Sequence, residues 1–60
     1  MFPVKSTVLL VEDEPLIRLF LSELLEDAGF RVVEAANGAE ALVLMEAGLN
    51  VDVVLSLIHI

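Results

Sequence analysis

The sequence holds no cysteine, tryptophan or tyrosine, and only 3 Lys plus Arg against 10 Asp plus Glu in 60 residues. Each shortage excludes something. Without thiols there is no disulfide and no Cys/His cluster for zinc. The shortage of cations leaves a formal net charge of -7. Nucleic-acid phosphates would be repelled by that balance, and so would an anionic membrane surface. No contact with either is expected. Gly29, Gly38 and Gly48 are the only glycines, too few for a P-loop or a GxGxxG phosphate cradle. No apolar run approaches the ~18 residues of a membrane span. Val8 to Val11 is too short for a secretory signal and meets acidic residues at once. A cytoplasmic location is expected. One domain is the upper limit, since a domain usually takes ~100–200 residues. A chain this short buries only ~60% of its unfolded surface and is marginal without staples.

What is present is apolar surface. Hydrophobic residues make up 58% of the chain, and the mean hydropathy is +0.90. High hydropathy without a span points to parallel strands buried on both faces, which read as solid apolar runs. Thr7 to Val11 (TVLLV) fits such a strand. Asp13 is then the candidate N-cap of a helix over about Glu14 to Ala28. Glu14 would sit in the first turn, where the dipole favours negative charge. Pro15 is tolerated there because its missing N–H has no partner in any case. Ile17, Phe20, Leu21, Leu24, Leu25 and Ala28 recur at helical steps and predict the buried face. Arg18, Ser22, Glu23, Glu26 and Asp27 fall on the other. Arg18 would then pair with Glu14 or Ser22 along an exposed surface. Gly29 followed by Phe30 reads as a Schellman-type stop.

Arg31 to Ala35 (RVVEA) reads as a second strand, its two charges suiting an edge. Asn37-Gly38 is a turn that can cap a second helix over Ala39 to Ala47, with Gly48 closing it. Ala41, Leu42 and Met45 mark its expected buried side. Val51 to about His59 (VDVVLSLIH) is a third strand. The order β-α-β-α-β joins parallel strands by right-handed crossovers, which is an open α/β sheet.

Such sheets bind ligands at the carboxyl ends of their strands. Glu12, Asp13 and Glu14 stand at the carboxyl end of the first strand. Carboxylates are hard ligands, and Mg²⁺ is held by one or two of them with waters and phosphate oxygens. The competing reading is plain helix capping with surface charge, at about even odds from position alone. Glu14 is assigned no ligand role. His59, the sole histidine, has no partner at ligand spacing. Ser56 and Thr7 lack the His/Asp context of a nucleophile. With no nucleophile beside the acids, an enzyme is not expected.

Val8-Leu9-Leu10-Val11-Glu12-Asp13-Glu14-Pro15 resembles the opening of response-regulator receiver domains of two-component systems. So do Ala28-Gly29-Phe30, Val32-Val33-Glu34-Ala35 and Asn37-Gly38-Ala39-Glu40-Ala41-Leu42, while Val51 to Ser56 looks like the run-in to that family's third strand. The resemblance implies a flavodoxin-like α/β fold with parallel strand order 2-1-3, a βαβαβ part of a receiver. On this reading residues 1–60 form a partial receiver (response regulatory) domain, truncated after the third strand. It implies phosphorelay signal transduction with a sensor histidine kinase as partner and Mg²⁺ as cofactor. By resemblance, Glu12 and Asp13 match the acidic pair that holds the metal, and the backbone carbonyl of His59 matches a further metal contact.

The departures are as informative. The position of the family's phosphoacceptor aspartate is Leu57, which has no nucleophilic oxygen and cannot ligate Mg²⁺. Phosphoryl uptake is not expected, and metal binding should be weak or absent. Two alternatives stay open. One is a pseudo-receiver that acts by protein binding. The other is a truncated reading frame with a non-native tail, because Ser56 to Ile60 is similar to a string produced when adapter DNA is translated. In the order 2-1-3 the third strand is a bare apolar edge, so self-association through it is expected.

Overall fold

A computed structural model describes residues 6–57. The elements run β1 (Thr7–Val11), α1 (Pro15–Asp27), β2 (Arg31–Ala35), α2 (Gly38–Glu46) and β3 (Val53–Ser56). The three strands are parallel, in the order β2-β1-β3. The expected α/β arrangement, with parallel strands in the flavodoxin-like order 2-1-3, is therefore present. β1 occupies the centre, with Thr7 to Val11 paired to Arg31 to Ala35 on one side and Val8 to Val11 paired to Val53 to Ser56 on the other.

The unbroken apolar run of β1 follows from that central place. Leu9 and Leu10 are both 0% exposed, although alternation sends them to opposite faces of the sheet. Burying each contributes roughly 1.5–3 kcal/mol. Leu9 and Val11 meet Ala35 and Ala41, with Val33, Leu44, Leu49 and Val51 packed around them. This is the α2 face. Right-handed crossovers to strands on either side of β1 place α1 on the opposite face, against β1 and β2.

Both helices stop as their glycines predict. Phe30 N–H donates to Leu25 O and Gly29 N–H to Glu26 O, with Gly29 at φ +100. These are the two bonds of a Schellman motif. Leu49 and Gly48 repeat the pattern on Leu44 and Met45. At the start of α2, Asn37 accepts from Glu40 N–H at 2.8 Å, and Glu40 Oε1 accepts from Ala36 N–H at 3.0 Å. The reciprocal pair satisfies two otherwise orphan donors.

Four expectations need correction. Asp13 is not the N-cap of α1. Glu14 is, with no side-chain cap bond, so the first turn carries no acid. The chain needs three residues after β1 to clear the sheet, and Pro15 takes the first helical position. The buried face of α1 is also displaced. Ile17, Phe20 and Leu24 are exposed, whereas Ser22 is 4% exposed and Arg18, Leu21 and Leu25 are half-buried. In α2, Ala41 is buried as expected, but Leu42 and Met45 are exposed and Leu44 packs instead. Finally, β3 begins at Val53 rather than Val51. Asp52 turns its carboxylate to accept Thr7 N–H at 2.7 Å, ending the ladder on a side chain. The far end of the expected strand, at His59, lies outside the described residues. Among the described residues no helix is long and apolar enough to cross a membrane.

Candidate functional site

The acids stand where β1 ends. β1 delivers Glu12 at the level of Ala35, whose carbonyl accepts Glu12 N–H at 3.0 Å. The Glu12 side chain folds inward. It is 5% exposed, and Oε2 accepts Glu14 N–H at 2.9 Å. A buried carboxylate needs such a donor, because an unpaired one would cost several kcal/mol. Asp13 is exposed and makes no hydrogen bond among the described residues. Its carboxylate is free to meet a cation. Glu14 is exposed too, and its carbonyl accepts the first turn's Arg18 N–H.

Leu57 arrives beside these acids. The register ends with Val11 opposite Ser56, and Leu57 N–H donates to Val11 O at 3.2 Å. The side chain at 57 is 43% exposed. Glu12 and Leu57 therefore leave the carboxyl ends of two adjacent parallel strands, with Asp13 one residue further along. His59, whose carbonyl the resemblance implicates, lies outside the described residues.

Arg18 is the feature that spacing along the helix misassigns. It does not pair with Glu14 or Ser22. Its Nη1 donates to Glu12 O at 2.9 Å, and its Nε meets Glu34 Oε1 on β2 at 3.3 Å. One guanidinium thus ties together the β1 exit, α1 and β2. The available signal was composition: Arg18 is the only cation between Lys5 and Arg31, and the parallel order sets Glu34 against Leu10.

Chemically, the end of β1 offers two carboxylates on consecutive residues. Among the described residues no group of three or more His, Cys, Asp or Glu side chains is placed to hold a metal. Two carboxylates, one already sharing its charge with a backbone N–H, suit a largely hydrated Mg²⁺ held at few points.

Comparison with known proteins bears on the whole chain. The response regulator receiver domain family matches residues 8–60. The chain is 50% identical over 52 residues to a protein of Brucella abortus (strain 2308) named Sensor kinase CckA, which covers 85% of this chain and 6% of that protein. It is 47% identical over 49 residues to a Cyclic di-GMP phosphodiesterase of Thermotoga maritima, covering 82% of the chain and 12% of the relative. A Protein-glutamate methylesterase/protein-glutamine glutaminase 3 of Hahella chejuensis is 53% identical over 36 residues, 58% of the chain and 10% of the relative. The chain thus spans only about a tenth of the length of these curated relatives. No solved structure matches it significantly.

Proposed function

The chain belongs to the response-regulator receiver family, and we propose that it is a receiver segment of phosphorelay signalling that does not itself accept phosphate. The observation that carries this reading is Leu57. It follows β3, with its N–H on Val11 O at the end of β1 from which Glu12 and Asp13 continue, and it stands at the family's phosphoacceptor position, where phosphoryl transfer to the chain would need an oxygen nucleophile. A hydrocarbon side chain can neither attack phosphorus nor add a third charge for the metal. The segment is a signalling module rather than an enzyme, acts in the cytoplasm, and has a sensor histidine kinase as its partner.

Glu12 and Asp13 would hold Mg²⁺, with Asp13 as the direct ligand and Glu12 fixing the turn that presents it. When bound, the ion supplies positive charge against phosphoryl oxygens that would otherwise face these acids. Arg18, through Glu12 O and Glu34, keeps the β1 exit in place. Leu57 also favours a second reading, a pseudo-receiver that acts through protein contact.

Incubation with acetyl phosphate and Mg²⁺, followed by intact mass measurement, tests the main reading. No gain of roughly 80 Da, the mass of one phosphoryl group, is expected. A stable adduct of that mass overturns it. In a Mg²⁺ titration followed by NMR, weak shifts confined to the Glu12 to Glu14 amides are expected, and their absence removes the metal role.

A further inference from the structure

We propose that Arg18 is a positioning residue of the metal site: it clamps the chain on both sides of Asp13, and the affinity of Glu12 and Asp13 for Mg²⁺ depends on that clamp. The inference rests on the reading that these two acids hold Mg²⁺. Asp13 is exposed and makes no hydrogen bond among the described residues. Nothing of its own fixes where its carboxylate points, so its neighbours must. Upstream, Nη1 of Arg18 donates to Glu12 O at 2.9 Å. Downstream, the backbone N–H of the same residue donates to Glu14 O at 2.9 Å. One residue thus holds the carbonyls on either side of Asp13.

The upstream bond is the tertiary one. Glu12 O belongs to the peptide that joins Glu12 to Asp13, and a peptide unit is planar. Holding its oxygen fixes the plane from which Asp13 departs. The next peptide is held as well, because its N–H, that of Glu14, donates to Glu12 Oε2 at 2.9 Å. No other device orders residue 13. The bond from Glu12 N–H to Ala35 O closes β1, and α1 opens on Glu14 without a side-chain cap. Glu34 orients the guanidinium in turn, meeting Nε at 3.3 Å from β2. A guanidinium is a rigid planar fork, so a carboxylate on Nε sets the direction of Nη1. Asp13 is thereby referred to β2 as well as to α1.

The charge of Arg18 works in the opposite direction. A cation this close to the acids repels Mg²⁺, so by electrostatics alone its removal would tighten metal binding. Removing a group that holds a ligand in place loosens binding instead, by roughly tenfold or more for an outer-shell partner. The two roles differ in sign. Only the clamp makes the loss of a positive charge weaken the hold on a positive ion.

Mg²⁺ alone is the probe, titrated into the 60-residue chain and its variants with the backbone amides followed by NMR. Arg18→Met is expected to weaken binding roughly tenfold. The order parameter of the Asp13 amide is expected to fall from about 0.85 toward about 0.6, with the β1 amides unchanged. Equal or tighter binding overturns the proposal. Asn37→Ala destabilises the chain at α2, away from the acids, and is expected to change neither readout. The same losses in Asn37→Ala overturn the proposal, because general loosening would then account for them. Should Arg18→Met lose its circular dichroism, Arg18→Lys decides, since it keeps the charge and gives up the planar fork. Weaker binding and a lower Asp13 order parameter are expected, and wild-type values overturn the clamp. Should the unaltered chain show no Mg²⁺ response, the metal reading fails by itself. The Asp13 order parameter then judges the clamp: a fall on substitution of Arg18 supports it, and no change overturns it.

Discussion

Replacing Arg18 by Met keeps most of the aliphatic stem and deletes the guanidinium. Two interactions go with it. The Nη1 bond to Glu12 O is 2.9 Å long and partly buried. A hydrogen bond from a charged donor is worth about 1.5–3 kcal/mol, and partial exposure places this one near about 1.5. The Nε contact with Glu34 is 3.3 Å, with the two side chains 22% and 42% exposed, so solvent screening holds it to about 0.5 kcal/mol. The expected loss is therefore about 2 kcal/mol. For 60 residues the whole stability is about 3–9 kcal/mol, so the midpoint of urea unfolding should fall by about a fifth or more. Protein concentration must be held equal in the two samples, because association adds to apparent stability. A double-mutant cycle with Glu34→Gln should return a coupling of about 0.5 kcal/mol, leaving most of the loss to Glu12 O. A total loss below about 0.5 kcal/mol, the range of ordinary surface substitutions, would refute the account of Arg18 as the tie between β1, α1 and β2.

Two other outcomes follow from the same structure. Leu57→Asp adds a third carboxylate at the carboxyl ends of β1 and β3. Without metal it should cost about 1 kcal/mol from like charges a few ångströms apart in a water-like medium, and it should tighten Mg²⁺ binding at least tenfold in an NMR titration. An unchanged affinity would mean that position 57 does not face Asp13. Asn37→Ala removes the acceptor of Glu40 N–H and should cost about 1 kcal/mol in thermal or urea unfolding, with no effect on the Mg²⁺ response.

Much of the fold is legible in the residues, and the legible parts share a cause. β1 is a solid apolar run because it is the central strand, so its pattern states its place. Gly29 and Gly48 sit at positive φ, a conformation that side chains with a Cβ rarely adopt, so they mark both helix ends. Asn37 and Glu40 cap locally, within four residues, and need no tertiary knowledge. The Glu12–Asp13 pair is likewise local to one strand end. What sequence order does not carry is the approach of distant segments. The Asp52 bond to Thr7 N–H spans 45 positions, and the Arg18 contacts follow from strand order rather than helical spacing. Asp52 shows the consequence: it reads as the second residue of a strand, and instead it closes the end of the sheet, its N–H donating to Thr7 O and its carboxylate accepting Thr7 N–H.

The face of α1 shows why periodicity alone finds a helix yet misplaces its rotation. Leu16, Ile17, Leu19, Phe20, Leu21, Leu24 and Leu25 are all apolar. At 100° per residue they cover well over half of the helix circumference. An arc that wide cannot be covered by one sheet, and its midpoint, near Ile17, Phe20 and Leu24, is the natural choice for the core. The sheet instead takes one margin of the arc, roughly a third of a turn away, where Leu21 and Leu25 adjoin Arg18 and Ser22. Hydrophobic burial hardly distinguishes the two rotations, because Leu and Ile transfer with similar free energy. The polar contacts do. Only with Arg18 at the sheet can its guanidinium reach both Glu12 O and Glu34. Removing it would leave a buried carbonyl without that donor, at a cost of about 1–3 kcal/mol. A small polar Ser22 on the same stripe lets the helix settle closely onto the strands. One cation thus decides a choice that seven apolar side chains leave nearly degenerate, and the same contact holds the turn from which Asp13 projects.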